Sequence, residues 1–200
     1  MQNRVIALGF FDGVHLGHGA LMKKAVLRAK ELGVRSAVFT FDRWPRGAVT
    51  GAQVDLINSS ADREKLIRRF YGVDEVMVVP FDDAMRTMPW DRFVEDLLVG
   101  ELGARHLVVG DDHRFGYKGE GTAEKLKEKC RAMGIGCDVI EQVEVNGERV
   151  SSTYIRSMIV TGDMEKANAF LGHPHMLTAG PGPGTSAAPP VRGRCQCRDG

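Results

Sequence analysis

Short apolar runs alternate along most of this chain with segments of helical periodicity. The runs at residues 5–8, 36–41, 75–79, 106–109 and 137–145 are predicted strands, and the segments between them repeat apolar residues at helical spacing. Strands separated by helices of this size indicate βαβ units, which require a parallel sheet. We therefore expect an α/β fold with a doubly wound, mainly parallel, Rossmann-like sheet and a small C-terminal helical extension.

The length and composition exclude several classes of protein. With 200 residues and a net charge of +1, the chain is long enough for one domain and has no basic block that would favour nucleic acid or an anionic membrane. No apolar run is long enough to span a bilayer, and the four cysteines fit neither a disulfide framework nor a four-ligand zinc site. We expect a cytoplasmic protein with no nucleic-acid or membrane partner.

The sequence changes character near residue 178. Residues 179–190 contain only Ala, Gly, Pro, Thr and Ser, a composition that cannot bury enough apolar surface to fold. His173 and His175, just before this segment, are predicted to be linker residues. We expect a folded domain over residues 1–177 and a disordered, low-complexity tail over residues 178–200.

The loops that follow the predicted strands should meet on one side of the sheet. They span residues 9–18, 41–51, 81–89 and 110–121, and each is rich in glycine or polar residues. Parallel sheets bind ligands at the carboxyl ends of their strands, near the point where the strand order reverses. We therefore expect these loops to line one shared crevice.

The first of these loops carries two histidines at the predicted start of a helix. His15 and His18 are three residues apart, so their imidazoles can share one helix face and grip one anion. Helix N-termini attract phosphate, and the glycine between the histidines lets a ligand approach the backbone closely. The alternative interpretation is two ordinary surface histidines. No dinucleotide-binding Gly-x-Gly-x-x-Gly follows a strand, and Thr122 and Ala123 stand where a P-loop requires lysine and a hydroxyl residue.

A second anion-binding pattern lies near the end of the predicted domain. Ser151, Ser152 and Thr153 are good helix-capping residues, and Ser152 and Arg156 lie four apart on one helix face. Such a helix start offers N–H and hydroxyl donors, and the arginine adds a bidentate fork for phosphate. In isolation the same residues also fit an ordinary capped helix with an exposed arginine.

These motifs together resemble one known family. Residues 11–18 are similar to the histidine signature of the nucleotidylyltransferase superfamily, and residues 40–45, 108–116, 150–156 and 163–173 resemble further elements of bacterial FAD synthetases in the same order. The likeness covers roughly residues 4–178 and is with the FMN adenylyltransferase module of that family. It stops before the riboflavin kinase domain of the bifunctional members, so we expect no kinase activity.

The resemblance implies an enzyme that transfers AMP from ATP to FMN and releases pyrophosphate, with FAD as the product and Mg²⁺ arriving with the ATP. It implies catalytic roles for His15, His18 and Arg156. The nucleotide-binding residues that it implies are Gly9, Phe10, Phe11, Asp12, Gly13, Gly17, Gly110, Asp112, Arg114, Ser151, Ser152 and Thr153. The flavin-binding residues that it implies are Phe41, Asp42, Trp44 and Pro45, and no protein ligand of a metal is assigned.

Two departures from the family pattern and two alternative functions stay open. Trp44 stands where the family usually has histidine, and His113 stands where it usually has phenylalanine. Asp12 fits a phosphate-loop organiser, a turn-stabilising aspartate or a distal Mg²⁺ ligand. The alternative functions are adenylyl or cytidylyl transfer to another phosphorylated acceptor, such as pantetheine phosphate or nicotinamide mononucleotide, and an inactive remnant that only binds nucleotide or flavin.

Overall fold

The structure, a computed structural model, describes residues 2–51 and 54–176. Its strands are β1 (Arg4–Leu8), β2 (Arg35–Phe41), β3 (Glu75–Val79), β4 (Ala104–Gly110), β5 (Arg114–Phe115), β6 (Gly121–Thr122), β7 (Gly136–Ile140), β8 (Glu144–Val145) and β9 (Glu148–Arg149). Its α-helices are α1 (Leu16–Leu32), α2 (Pro45–Thr50), α3 (Ser60–Tyr71), α4 (Asp83–Thr87), α5 (Trp90–Arg92), α6 (Ala123–Ala132), α7 (Ser152–Thr161) and α8 (Met164–Leu171). A π-helix (Phe93–Glu101) continues α5, and a short 3₁₀-helix covers Tyr117–Gly119. The predicted domain boundary at residue 177 and the predicted disordered tail lie outside the described residues.

Parallel pairing joins β3, β2, β1, β4 and β7, in that order, into the main sheet. Ile6 of β1 is in register with Ala37 of β2 on one side and with Leu107 of β4 on the other. The chain moves outward from β1 to β3 and then returns to the other side of β1 with β4. The carboxyl ends of β1 and β4 therefore flank the switch point at which such sheets bind ligands. The predicted α/β fold with a doubly wound, mainly parallel sheet is confirmed.

Both faces of this sheet are buried, as the alternation along β1 shows. Val5 and Ala7 lie in a core with α1 and α3, whereas Ile6 and Leu8 lie in a second core with the π-helix and α6. Successive side chains of a strand point to opposite faces, so a strand covered by helices on both sides is apolar at every position. For this reason the strands appear in the sequence as continuous apolar runs.

A third apolar cluster holds the predicted C-terminal extension together. Ile155 of α7 and Phe170 of α8 are buried in it, together with Ile57 from the segment before α3. The hairpin β8–β9 precedes these helices, and its turn residues Asn146 and Gly147 have φ angles of 54° and 77°. Left-handed angles at both positions are typical of the tight hairpin turn that an Asn-Gly pair predicts. The helical extension is therefore confirmed.

Two sequence-based boundaries differ from the structure. The predicted strand over residues 137–145 ends at Ile140, because Val143 and Val145 leave the sheet and pack against the third cluster. The predicted helix that begins near Trp90 is α-helical only to Arg92 and continues with π geometry. The spacing of apolar residues does not distinguish these two helix types over so short a stretch. Over the residues that the structure describes, no helix is both long enough and apolar enough to cross a membrane.

Candidate active site

Two histidines stack at the end of the loop that joins β1 to α1, here called the histidine loop (residues 9–15). His15 is the N-cap residue of α1, and its Nδ1 accepts the backbone N–H of His18 at 3.3 Å. The neutral His15 ring therefore carries its proton on Nε2. The His15 and His18 rings lie 3.5 Å apart between centroids, with 14° between their planes, and the buried Phe11 ring meets His18 edge-on. The structure thus brings the two predicted catalytic histidines together.

Burial keeps both imidazoles neutral at pH 7 in the free protein. It lowers the pKa of His15 from the ordinary 6.5 to about 4. Burial, with smaller effects from His15 and Arg63, holds the pKa of His18 well below its ordinary value. Nδ1 of His18 is buried and has no hydrogen-bond partner within residues 2–51 and 54–176. The pair therefore offers neutral rings to an incoming ligand, and a bound anion would favour their protonation.

The histidine loop has an unusual backbone. Phe11 and Val14 have left-handed φ angles of 60° and 46°, and Gly13 between them has a φ of 82°. Such angles are uncommon for residues with a side chain, above all for valine, and they persist only where the surroundings hold them. Gly17 contributes through its small size, because a Cβ at this position would lie 3.2 Å from the His15 ring.

Asp12 organises the histidine loop from inside. One carboxylate oxygen accepts the backbone N–H groups of Ile57 and Asn58 at 2.9 and 3.4 Å. The other lies 3.5 Å from Nε of Arg156. Burial raises the pKa of Asp12, and the two amides and Arg156 oppose that effect. These contacts favour the interpretation of Asp12 as the aspartate that organises the loop.

The start of α7 is tied to the same loop. Ser151 caps the helix, because its side chain accepts the backbone N–H of Tyr154 at 3.2 Å. Ser152 Oγ donates to the backbone carbonyl of Asp12 at 2.9 Å, and Thr153 is exposed. Two motifs that lie 140 residues apart in the chain are therefore joined directly.

His173 also supports the histidine loop, which corrects its predicted role as a linker residue. Its ring is buried, stacks on Phe70 with 5.2 Å between centroids, and places Nε2 3.1 Å from the carbonyl of Gly13. His175 likewise places Nε2 3.2 Å from the carbonyl of Ile57. No local pattern indicates these contacts, because they form only when the segment after α8 folds back over the loop.

An aromatic cleft of about 920 Å³ opens beside the histidine loop. Residues from the loops after β1, β2, β3 and β4 line it, and the lining includes Gly9, Phe10, Phe41, Trp44, Pro45, Phe81, Phe93, His113, Arg114, Phe115 and Tyr117. The predicted flavin residues Phe41, Trp44 and Pro45 are therefore together. Gly9 and Phe10 belong both to the cleft wall and to the histidine loop, so they connect the cleft with the stacked histidines.

Other predicted site residues shape the loops and do not line the cleft. Asp42 accepts the backbone N–H of Phe81 at 2.9 Å, so it orients the loop after β3. Asp112 is exposed and pairs with Arg149 at 2.7 Å, which joins the loop after β4 to the β8–β9 hairpin.

The family departure at His113 preserves an aromatic wall. The His113 ring stacks on Phe115, with 5.6 Å between centroids and 20° between planes. Burial lowers the pKa of His113 to about 4, so the ring is neutral at pH 7. The carbonyl of Gly110 accepts the His113 backbone N–H at 3.1 Å and closes the turn after β4. A neutral imidazole at this position presents a flat surface to the cleft, as a phenylalanine would.

The sheet and the site define a doubly wound α/β protein with stacked histidines at its switch point. A family model described as FAD synthetase matches residues 1–154. The chain belongs to the FAD synthetase family, as the motifs predict.

The relatives carry names consistent with this family. A bifunctional riboflavin kinase/FMN adenylyltransferase of Listeria monocytogenes is 35% identical over 175 residues, which are 86% of this chain and 55% of the relative. A putative bifunctional riboflavin kinase/FMN adenylyltransferase of Geobacillus thermodenitrificans is 34% identical, over 87% of this chain and 92% of the relative. A protein named FAD synthetase, also from Listeria monocytogenes, is 29% identical over 87% of this chain and 70% of its own length. The chain spans about half the length of the bifunctional relatives from Listeria monocytogenes, Pseudomonas fluorescens and Bacillus subtilis.

A solved structure supports the fold. The crystal structure of a protein described as a macrolide-efflux protein, from Streptococcus pneumoniae, superposes with a TM-score of 0.78 at 29% identity. The superposition covers 88% of this chain and 66% of that protein.

Proposed function

We propose that this chain transfers AMP from ATP to FMN, giving FAD and pyrophosphate. The observation that carries the proposal is the stacked His15–His18 pair, which Asp12 and Ser152 connect to Arg156 beside an aromatic cleft. Membership of the FAD synthetase family supports the same reaction. Phosphoryl-type transfer needs mainly positioning and charge stabilisation from a protein, and this arrangement supplies both.

The reaction forms one bond and breaks one. An oxygen of the FMN phosphate attacks the α-phosphorus of ATP, and the bond between that phosphorus and the bridging oxygen of the β-phosphate breaks as pyrophosphate leaves. His15 presents Nε2–H, because its Nδ1 is occupied as the helix cap. We assign both rings to the charge that builds on the α-phosphate and the leaving oxygen, where fixed N–H donors are most effective.

The pyrophosphate would lie between the histidines and the start of α7. The Thr153 hydroxyl and the backbone N–H groups of Ser152 and Thr153 supply donors, and Arg156 supplies a planar fork that suits phosphate oxygens. Nε of Arg156 is buried without a hydrogen bond within the described ranges. A phosphate oxygen would give this guanidinium an acceptor in addition to its ion pair with Asp12.

The divalent cation enters with the nucleotide in this proposal. Among the residues that the structure describes, no group of three or more His, Cys, Asp or Glu side chains could hold a metal ion. Magnesium commonly binds through substrate phosphates and keeps several waters, so ATP is expected to bind as its Mg²⁺ complex. When bound, the cation would offset the negative charge of the triphosphate.

The cleft favours FMN over pantetheine phosphate. Its wall is mainly apolar and aromatic, with Phe41, Trp44 and Tyr117 among its residues. A flat isoalloxazine ring can stack on such side chains, whereas an extended pantetheine chain makes little use of them. Arg114, which also lines the cleft, is available to the phosphate or ribityl part of the acceptor.

The experiment is a pyrophosphate-release assay with Mg-ATP and a panel of acceptors, with FAD detected directly by chromatography. FMN should support turnover, and pantetheine phosphate and nicotinamide mononucleotide should not. His18→Ala should lower kcat/KM at least tenfold, which is about 1.4 kcal/mol of barrier. Lys23→Ala, an exposed change on the same helix, serves as the matched control. Binding of ATP and FMN in a thermal-shift titration without any turnover would contradict the proposal and favour an inactive remnant.

A further inference from the structure

Arg63 of α3 is among the largest fully buried side chains in the described part of the chain, with 1% of its surface exposed. Arginine is almost never fully buried unless its charge is paired. Within residues 2–51 and 54–176, however, Arg63 has no carboxylate at ion-pair distance, and its Nε and Nη1 have no hydrogen-bond partner. A buried guanidinium in this state is costly, so its presence requires a reason.

Arg63 contacts one residue at the end of β2 and one residue in the histidine loop. Its Nη2 donates to the carbonyl of Phe41, at the end of β2, at 2.6 Å. Its guanidinium carbon lies 4.3 Å from the centre of the Phe10 ring in the histidine loop. Phe10 and Phe41 both line the cleft. Arg63 therefore joins the histidine loop to the end of β2, where the predicted flavin loop begins.

The charge of Arg63 acts directly on the groups of the site. It is one of the charges that hold the pKa of His18 low, and it opposes the rise in the pKa of Asp12. Burial lowers the pKa of Arg63 itself, and the charges of Asp12 and Asp42, which pair with Arg156 and Arg43, oppose that effect. If Arg63 only held Phe10 against the end of β2, a positive charge would not be required at this position.

We propose that Arg63 is a positioning residue of the phosphate site: it fixes Phe10 against the end of β2, and its buried positive charge is compensated when the phosphates of the nucleotide bind. The inference rests on the proposed function, because the compensating anion is the polyphosphate of ATP. Interaction with a unit charge several ångströms away, in a medium of effective dielectric constant about 20, changes anion affinity by about tenfold or more.

The test compares three variants by calorimetric titration with Mg-ATP, and separately with inorganic pyrophosphate, at fixed ionic strength. Arg63→Met removes the charge and keeps an apolar side chain, whereas Arg63→Lys keeps the charge and loses the planar stack. Arg68→Met is the matched control, because Arg68 lies on the same helix and is 46% exposed in a pair with Glu64.

We expect Arg63→Met to weaken binding of both probes at least tenfold. Its Tm without ligand should stay close to that of the parent protein, because removal of a buried charge offsets the lost hydrogen bond to the Phe41 carbonyl. Arg63→Lys should stay within threefold of the parent affinity, and Arg68→Met should not change it. An unchanged affinity in Arg63→Met would overturn the proposal, as would equal losses in the methionine and lysine variants. Failure of Arg63→Met to fold would also overturn it, because it would assign the residue to stability. If the parent protein binds nucleotide but forms no FAD, the proposed reaction is refuted. The proposal for Arg63 is still tested in that case, because the affinities of the variants can still be compared.

Discussion

Replacing His15 with asparagine is expected to remove an acid-labile part of the stability and to leave the cap of α1 in place. His15 Nδ1 accepts the backbone N–H of His18, and an asparagine side-chain oxygen can occupy the same position at a helix N-cap. The variant therefore loses the titrating ring and its stack on His18, but it keeps the hydrogen bond that begins the helix.

The expected magnitude follows from the pKa of His15. Burial lowers this pKa to about 4 in the folded protein, against 6.5 in the unfolded chain. Between these two values the unfolded chain binds more protons, so stability is fully present above pH 6.5 and falls as the pH drops towards 4. The gap corresponds to about 3 kcal/mol at 1.36 kcal/mol per pKa unit.

The assay is urea denaturation of the parent protein and of His15→Asn at pH 7.5 and pH 4.5, without ligands. At pH 7.5 the two free energies of unfolding should agree to about 1 kcal/mol, the scale of a lost ring contact. On going to pH 4.5 the parent protein should lose about 2–3 kcal/mol more than the variant. The titration of the carboxylates is common to both proteins and cancels in this difference. Parallel pH dependences would refute the reasoning, because they would mean that His15 titrates normally in the folded state.

Two further substitutions test other parts of the site. His173→Ala should lower the free energy of unfolding by about 1–3 kcal/mol, because it leaves the Gly13 carbonyl without its partner and removes the stack on Phe70. A decrease of less than about 0.5 kcal/mol in urea titrations would contradict the supporting role of His173. Trp44→Ala should raise the Kd of FMN about tenfold in a fluorescence titration and leave that of ATP unchanged, since ring stacking is worth about 1–3 kcal/mol. Val49→Ala, a change in the same cleft wall, is its control, and equal effects of the two changes would argue against stacking.

The main sheet could be predicted because its strands are buried on both faces. An alternating pattern would have been ambiguous, but runs such as Val5–Leu8 are apolar throughout and are separated by helical segments. The last predicted strand, over residues 137–145, is too long for a related reason: its continuation also contains apolar residues. Val143 and Val145 are apolar because they pack against the third cluster, and the sequence alone does not show which core receives an apolar side chain.

The local parts of the site could also be predicted, and the long-range supports could not. His15 and Ser151 act as helix caps through neighbouring residues, so short motifs describe them. The contacts of His173 depend on how the chain returns to the histidine loop, which no spacing encodes. Arg63 did leave a signal: it shares a helix face with Leu66 and Ile67, and an arginine on the apolar face of an amphipathic helix is unusual.

The histidine loop is strained, and separate parts of the chain hold it in that state. Left-handed angles at Phe11 and Val14 cost of the order of 1–3 kcal/mol each. Asp12, Ser152 and His173 bind the loop to the segment before α3, to α7 and to the segment after α8. Donors that are already in place need no reorganisation when charge develops, and this is the main way a protein can accelerate transfer between phosphates. Under the proposed reaction, these supports and the histidines therefore serve one purpose, and weakening a support should lower kcat/KM even though both imidazoles remain.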